Sequence, residues 1–227
     1  MANHENFMDV RSAYDTVAET YSAVIPDTSF EAPLDMAMVD HFIAHLRATA
    51  DRTVIDVGCG AGRMTSYLGR AGLNVSGVDV SPEMIRVAQQ LHPGLLFEAG
   101  ELADLPNADA AADGVLAWYS IIHSPPTALP AIAREFWRAL RPGGSALVAF
   151  HAGSGHHTID RAYGHDVQLR TELHAPDEVA LRFTEQGFAM RAQLVRSPRA
   201  MEKHPQAAIL VDKPLAPSSP WPLALSP

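Results

Sequence analysis

Three glycines at alternate positions, Gly58, Gly60 and Gly62, follow the apolar run TVIDV at 53–57, which carries Asp56. A strand that delivers the chain into a helix N-terminus leaves backbone N–H groups facing a ligand, and glycines there permit positive φ and close backbone approach. A second acid, Asp79, closes the run LNVSGVD 17 positions after Gly62, where a carboxylate can take both hydroxyls of a ribose. Dinucleotide sites favour G-x-G-x-x-G, whereas the spacing here is G-x-G-x-G with an acid two residues before the first glycine. The second acid suits either kind of nucleoside-bearing cofactor; the glycine spacing and Asp56 are what set this loop apart. Cys59 lies among the glycines, where a small residue is wanted, and nothing around it marks a nucleophile.

Histidines form the second chemical group. Of the eleven, His123, His151, His156, His157, His165 and His174 fall between positions 123 and 174. In open α/β sheets ligands bind outside the carboxyl ends of the strands, which is where His123 and His151 are expected. A neutral imidazole there can accept a proton from a phenol, hydroxyl or amine, and the alternative is a hydrogen-bonded loop histidine. The stretch HAGSGHH at 151–157 looks like a ligand cluster for a metal, but no acid pair at a recognised spacing accompanies it, so no metal is expected.

Positioning these residues requires strands that alternate with helices. From Val54 to Phe150 the continuously apolar runs TVIDV, LNVSGVD, LLFEAG, GVLAWYS and SALVAF are separated by helical stretches at 62–71, 82–91 and 127–140, a pattern of βαβ units around a parallel sheet covered on both faces. Strand ends are predicted near 57, 79, 100, 119 and 150, with RPGG at 141–144 turning the third helix into its strand. The runs at 188–196 and 207–213 supply two more strands, and helices are predicted over 33–46 and from Pro176 to Gln186, closed by Gly187. Upstream, Tyr14, Val17, Ala18, Tyr21, Val24 and Ile25 recur at helical spacing, which describes core packing as well as it describes a binding face.

In these segments the chain resembles the class I S-adenosylmethionine (SAM)-dependent methyltransferases. VIDVGCGAG is similar to their first motif, GELADLPNADAAADGV (100–115) to the stretch around their third strand, IIHSPP (121–126) to the segment after the fourth, and LRPGGSALVAF (140–150) to the turn into the fifth, so that the similarity spans about 9–150. Glu101 stands where Asp is usual, and Ala111–Ala112 replace a common Ser-Phe. The resemblance implies an α/β, Rossmann-like, doubly wound seven-stranded sheet, mostly parallel with one of the last two strands reversed, with helices on both faces and an N-terminal helical lid. It implies that Gly58, Cys59, Gly60 and Gly62 lie beneath the methionine part of SAM, with Asp56 holding the loop or the ligand's amino group and Arg63 near the carboxylate. Asp79 would bind the ribose, Val80 and Met84 would lie against adenine, Gly100, Glu101 and Leu102 would meet its edge, and Ala117 and Trp118 would flank the methionyl amine. Tyr14 and Tyr21 resemble aromatics of the lid.

The implied organisation is a lid over 1–46, a SAM-binding core over 47–213 with a substrate-shaping insert at about 152–175, and a Pro-rich tail over 214–227. The implied reaction is in-line methyl transfer to a small-molecule acceptor, aromatic or from secondary metabolism, with His123 and His151 as candidate catalytic residues. An NAD-dependent oxidoreductase and a non-catalytic SAM-binding protein are the competing readings. At 227 residues with 47% apolar and 19% charged, the chain is globular and suits one large core. A net charge of −9 disfavours nucleic acid, one cysteine suits a reducing compartment, and neither a signal sequence nor a membrane span is apparent. The expectation is a cytoplasmic protein whose partners are its small-molecule acceptor and, at most, a second copy in a homodimer.

Overall fold

In the computed structural model, which describes residues 9–48 and 51–215, the apolar runs become strands. These are β1 (Thr53–Val57), β2 (Asn74–Asp79), β3 (Leu96–Ala99), β4 (Ala112–Trp118), β5 (Leu140–His151), β6 (His156–Ala162), β7 (His165–Glu172), β8 (Ala189–Arg196) and β9 (Gln206–Asp212). Seven of them form one sheet in the order β3-β2-β1-β4-β5-β9-β8, with β9 running antiparallel to both of its neighbours and the other strands parallel to one another. The single reversed strand and the sheet match the Rossmann-like expectation.

Alternate strand residues feed two separate cores. Ile55, Val57, Val115, Ala117, Val148, Phe150 and Ile209 pack on one face against α5 (Leu129–Ala139) and α6 (Pro176–Glu185), through Ile132, Phe136 and Phe183. Val54, Leu116, Trp118, Leu147, Ala149 and Leu210 pack on the other against α2 (Pro33–Leu46) and α3 (Arg63–Arg70), through Phe42, Leu46 and Leu68. Two buried faces explain why the strands read as unbroken apolar runs. Next to β3 lies α4 (Pro82–Leu91), whose Ile85 and Ala88 meet Cys59 and Phe97. The Ser81 hydroxyl caps α4 by accepting the Met84 N–H at 3.1 Å, and Pro82 opens its first turn.

The first helix, α1 (Val10–Val24), does not join the sheet. Its stripe of Ala13, Val17 and Ala18 rests on Met84 and Val87 of α4 and on Val167 and Leu169 of β7. Asp15 ties it down by accepting from the Ser81 hydroxyl at 2.6 Å and from the Glu83 N–H at 3.2 Å, at the positive end of α4.

Two segments differ from the sequence-based expectation. Residues 152–175, expected only as an insert, contain a hairpin in which β6 pairs antiparallel with β7. Its two-residue connection, Tyr163-Gly164, has positive φ at both positions (52° and 87°), which suits the twist of a tight hairpin. RPGG does turn α5 into its strand, but as a bulge inside β5 and not as a loop before it: Ala112 and Gly114 of β4 pair with Leu140 and Ser145, leaving 141–144 out of the ladder with Gly143 at φ +85°. The tail expected over 214–227 lies outside the described residues from 216 onward, as do residues 1–8. Among the described residues, no helix is long and apolar enough to cross a membrane.

A buried ion-pair group closes the far end of the sheet. Arg196 of β8 pairs with Asp35 of α2 at 2.6 Å and with Glu202 at 2.6 Å, and all three side chains are at most 15% exposed. Arg196→Ala leaves the Asp35 carboxylate buried without its cation, with only the Tyr119 hydroxyl at 3.4 Å, and is expected to cost about 3–5 kcal/mol, read as a lower urea midpoint at unchanged slope. The hydrogen bond from Arg196 holds the Glu202 carboxyl down at about 2. Its folded pKa is below the unfolded value, so that stabilisation is complete above the ordinary glutamate range and is lost as pH falls towards about 2. The stability difference between parent and variant should narrow across that window.

Candidate active site

A cavity of about 790 Å³ opens at the carboxyl ends of β1, β2, β4 and β5, lined among others by Gly58, Asp79, Trp118 and His151. It lies where the order of the sheet reverses, with β2 on one side of β1 and β4 on the other. The loop after β1 forms its floor. A Cβ on Gly58, whose φ is +69°, would stand 2.2 Å from the Ser120 Cβ, so no side chain fits between the β1 and β4 loops. Gly60 has ordinary room, an added Cβ falling 3.5 Å from the Tyr21 ring. Asp79, only 8% exposed, sits beside this floor and accepts the Gly60 N–H at 2.8 Å and the Ser81 N–H at 2.9 Å. Burial pushes its carboxyl pKa upward against the pull of those N–H groups.

Val80, Gly100, Glu101 and Leu102 continue the wall on the β2–β3 side. Gly100 is another position without room, its added Cβ falling 2.8 Å from Val78 and 2.9 Å from Pro106. Arg63, the first residue of α3, lines the cavity and forms an ion pair with Glu31.

Five other residues singled out from the sequence do not line the cavity: Asp56, Cys59, Gly62, Met84 and Ala117. Asp56 is 1% exposed and accepts the Thr65 hydroxyl at 2.6 Å, which fastens α3 to β1; burial pushes its pKa up to about 6. Cys59 packs on α4 and Phe97. Gly62 is bare because Phe97 and His92 fill the space a Cβ would need. Met84 is fully buried beneath α1, and Ala117 is fully buried against the α5 face. Asp56, Cys59 and Gly62 shape the loop from behind, whereas Met84 and Ala117 are core.

The opposite wall is aromatic. The Tyr14 hydroxyl donates to His123 Nε2 at 2.8 Å, and His123 Nδ1–H donates to the Arg170 carbonyl of β7 at 2.9 Å, which sets the tautomer. Burial lowers the His123 pKa, so the ring is neutral with Nε2 as its acceptor atom. Tyr14 stands edge-on to Tyr21 at 6.3 Å, and Tyr21 edge-on to Tyr163 at 5.0 Å. His151 lies across the cavity at the end of β5, near-parallel to His157, with its pKa pushed down to about 4 by burial and by His157 and His204.

Sequence reasoning did not single out Tyr119, Ser120, Ile159, Tyr163, Leu169 or Thr171, all of which line the cavity. The alternation of Val167, Leu169 and Thr171 around a Tyr-Gly turn was the available signal for the last four, since it marks a hairpin with one buried face. Ser120 and Trp118 carry a second signal visible only in three dimensions: Trp118 Nε1 and Ser120 Oγ are buried without a protein partner.

Sheet order, floor glycines and the acid closing β2 together define a Rossmann-like methyltransferase architecture. Residues 54–144 match the family profile described as a methyltransferase domain. A stretch of 134 residues is 34% identical to methyltransferase GfsG of Streptomyces halstedii, covering 55% of this chain and 48% of that protein. Over 146 residues it is 32% identical to the malonyl-acyl-carrier-protein O-methyltransferase of Pseudescherichia vulneris, covering 64% and 55%. The chain thus spans about half the length of the curated relatives it matches. In fold it is similar to the Burkholderia thailandensis 1,6-didemethyltoxoflavin-N1-methyltransferase, solved with that compound and S-adenosylhomocysteine (SAH), at a TM-score of 0.68 over 90% of this chain and 87% of that one, with 23% identity. It is equally similar to the [4+2]-cyclase SpnF, at a TM-score of 0.69 over 91% and 96%, with 17% identity.

Tyr14→Phe removes the hydroxyl that stabilises the neutral His123 ring, so the His123 pKa should rise towards the ordinary histidine value. Titration of the ring Cε1–H by NMR checks this, and an unmoved pKa would show that the Tyr14–His123 bond does not persist in solution.

Proposed function

We propose that this chain is a SAM-dependent methyltransferase for a small-molecule acceptor, with the cofactor lying along the floor and the acceptor between it and the Tyr14–His123 wall. The observation that carries the reading is the Asp79 carboxylate and the Gly58 and Gly60 backbone lining one cavity large enough for both ligands. The residues present suit SAM: a bare floor, an acid at the end of β2 for ribose hydroxyls, and two unpartnered groups, Trp118 Nε1 and Ser120 Oγ, beside the glycine loop. In this reading Val80, Glu101 and Leu102 border the adenine, and Arg63 with Glu31 lies near the amino-acid end. When bound, SAM supplies a methyl group on a sulfonium already activated by its positive charge.

The protein then has mainly to align the acceptor, and alignment of this kind can be worth about 7–11 kcal/mol. The aromatic wall and the hairpin exclude water and fix the acceptor's plane. His123 Nε2 takes a proton released by the acceptor, either directly once Tyr14 yields or through Tyr14, whose oxygen gains the acceptor's proton as its own passes to Nε2. We assign residues 1–46 to a cover over the site, 47–213 to the core, and 152–175 to shaping of the acceptor side. The named acceptors of related proteins, malonyl on a carrier protein and 1,6-didemethyltoxoflavin, support a small acceptor, and a net charge of −9 argues against nucleic acid.

Likeness to a [4+2]-cyclase makes turnover the decisive measurement. Incubation with methyl-labelled SAM and a metabolite library should transfer label; SAH binding without any transfer would leave a cofactor-binding protein instead. Calorimetry should show SAH binding and no NADH binding, with Asp79→Ala weakening SAH by about 1.5–3 kcal/mol while the fold persists. With a turned-over acceptor in hand, His123→Ala should lower kcat about a hundredfold at nearly unchanged SAH affinity. The parent's pH–rate profile should fall on the acid side with a limb below the ordinary histidine value, absent from the variant. Retention of more than about a third of kcat would leave alignment alone as the source of rate.

A further inference from the structure

Buried polar atoms without a partner are uncommon in a folded protein, and each calls for a missing ligand or water. Six such side-chain atoms occur among the described residues, and four of them, on Trp118, Ser120, His151 and Thr171, belong to residues lining the one cavity. A fifth, His157 Nδ1, belongs to the ring stacked on His151. They fall into two groups. Trp118 and Ser120 adjoin the glycine loop, whereas His151 and Thr171 lie at the end of β5 and on β7, on the acceptor side.

The second group sits in an unusual charge environment for so acidic a chain. His151, His157 and His204 come from β5, β6 and the loop before β9, and their ring centroids are 5.0 to 6.5 Å apart. Their planes are inclined by only 26° to 37°, so the in-plane nitrogen lone pairs do not meet at a point. Among the described residues no group of three or more His, Cys, Asp or Glu could hold a metal ion. The standing positive charge beside the rings is Lys203, which acts on His157. Acids nearby are already committed, Glu202 to Arg196 and Arg199, and Glu172 to Arg170 at 2.5 Å. The phenol of Tyr119, whose ring lies 5.5 Å from that of His151, carries no charge at neutral pH because burial raises its pKa.

Three imidazoles held together repel one another once protonated, and burial adds to that cost; both effects lower the His151 and His157 pKa values. A bound anion reverses each effect, since it offsets the repulsion and accepts hydrogen bonds from atoms that otherwise have none. We infer that the acceptor carries a carboxylate, which His151 and Thr171 hold in the cavity with His157 and His204 packed against His151 behind them, while the methyl-accepting atom faces the glycine loop. This rests on the proposed function for the cofactor half of the cavity, and it adds the chemical class of the acceptor. Neutral rings must gain protons as the carboxylate enters, so affinity should rise as pH falls through the range in which the occupied rings titrate.

The test compares benzoate with its neutral near-isostere benzamide, titrated by calorimetry into SAH-saturated protein at pH 6 and pH 8. Benzoate should bind at least about tenfold more tightly than benzamide at the lower pH, with the gap shrinking at the higher one. His157→Asn and His204→Asn, each on an exposed or half-exposed segment, should erase that gap while leaving SAH affinity intact. Equal binding of the two compounds, a benzoate preference indifferent to pH and to both substitutions, or no benzoate binding at about 20 mM would each overturn the inference. Failure of SAH itself to bind would instead count against the methyltransferase reading, and the benzoate comparison on unliganded protein would still decide the histidine site.

Discussion

The contact on which the site depends is a near-collision of two backbones. The loops leaving β1 and β4 pass so close at Gly58 and Ser120 that one of them must be bare of side chain. That proximity follows from sheet order: β1 and β4 are neighbours, yet the helices that follow them lie on opposite faces, α3 on one and α5 on the other. The loops part above the sheet and leave a crevice, and the crevice is the cavity. Because Gly58 is bare, its N–H group turns inward to the Val78 carbonyl at 2.7 Å, and Gly60 is left to meet Asp79. One missing Cβ thus joins the ends of three strands into a single floor.

Around that floor the protein uses polar groups sparingly and in fixed orientations. Asp79 is held by two main-chain N–H groups, Asp56 by Thr65, and His123 between a phenol and a carbonyl. Where such bonds are complete the walls are rigid, as with the Asp15 clasp that seats α1 on the N-terminus of α4. Where they are incomplete, at Trp118, Ser120, His151 and Thr171, the gaps fall inside the cavity. Four of the six unsatisfied side-chain atoms among the described residues are thus on residues that line the cavity.

Much of this was legible in the residues because parallel strands buried on both faces write themselves as unbroken apolar runs. β1, β2 and β4, and the helices between them, fall within a residue or two of where pattern and capping put them. The glycines and Asp79 were equally visible, since few other arrangements need bare backbone followed by an acid one strand later. Spacing along the chain does not say which side of a loop faces a ligand, however. Asp56 takes the loop-holding one of its two expected roles, Cys59 and Gly62 brace the loop from behind, and Met84 packs beneath α1. The hairpin at 156–172 was passed over because polar residues on its exposed face break up the apolar signal, and with it went Tyr163 and Thr171. His204 escaped notice for a different reason: only the return of the chain into β9 carries it to His151 and His157.

The bond from His123 to Arg170 runs to a main-chain carbonyl, not to a side chain. Any amino acid at position 170 offers the same oxygen, as long as β6 and β7 stay paired. Orientation of the histidine is thereby uncoupled from the identity of the hairpin residues that line the cavity. A lineage of such proteins can exchange those residues, and with them the shape of the cavity, while the histidine stays in register.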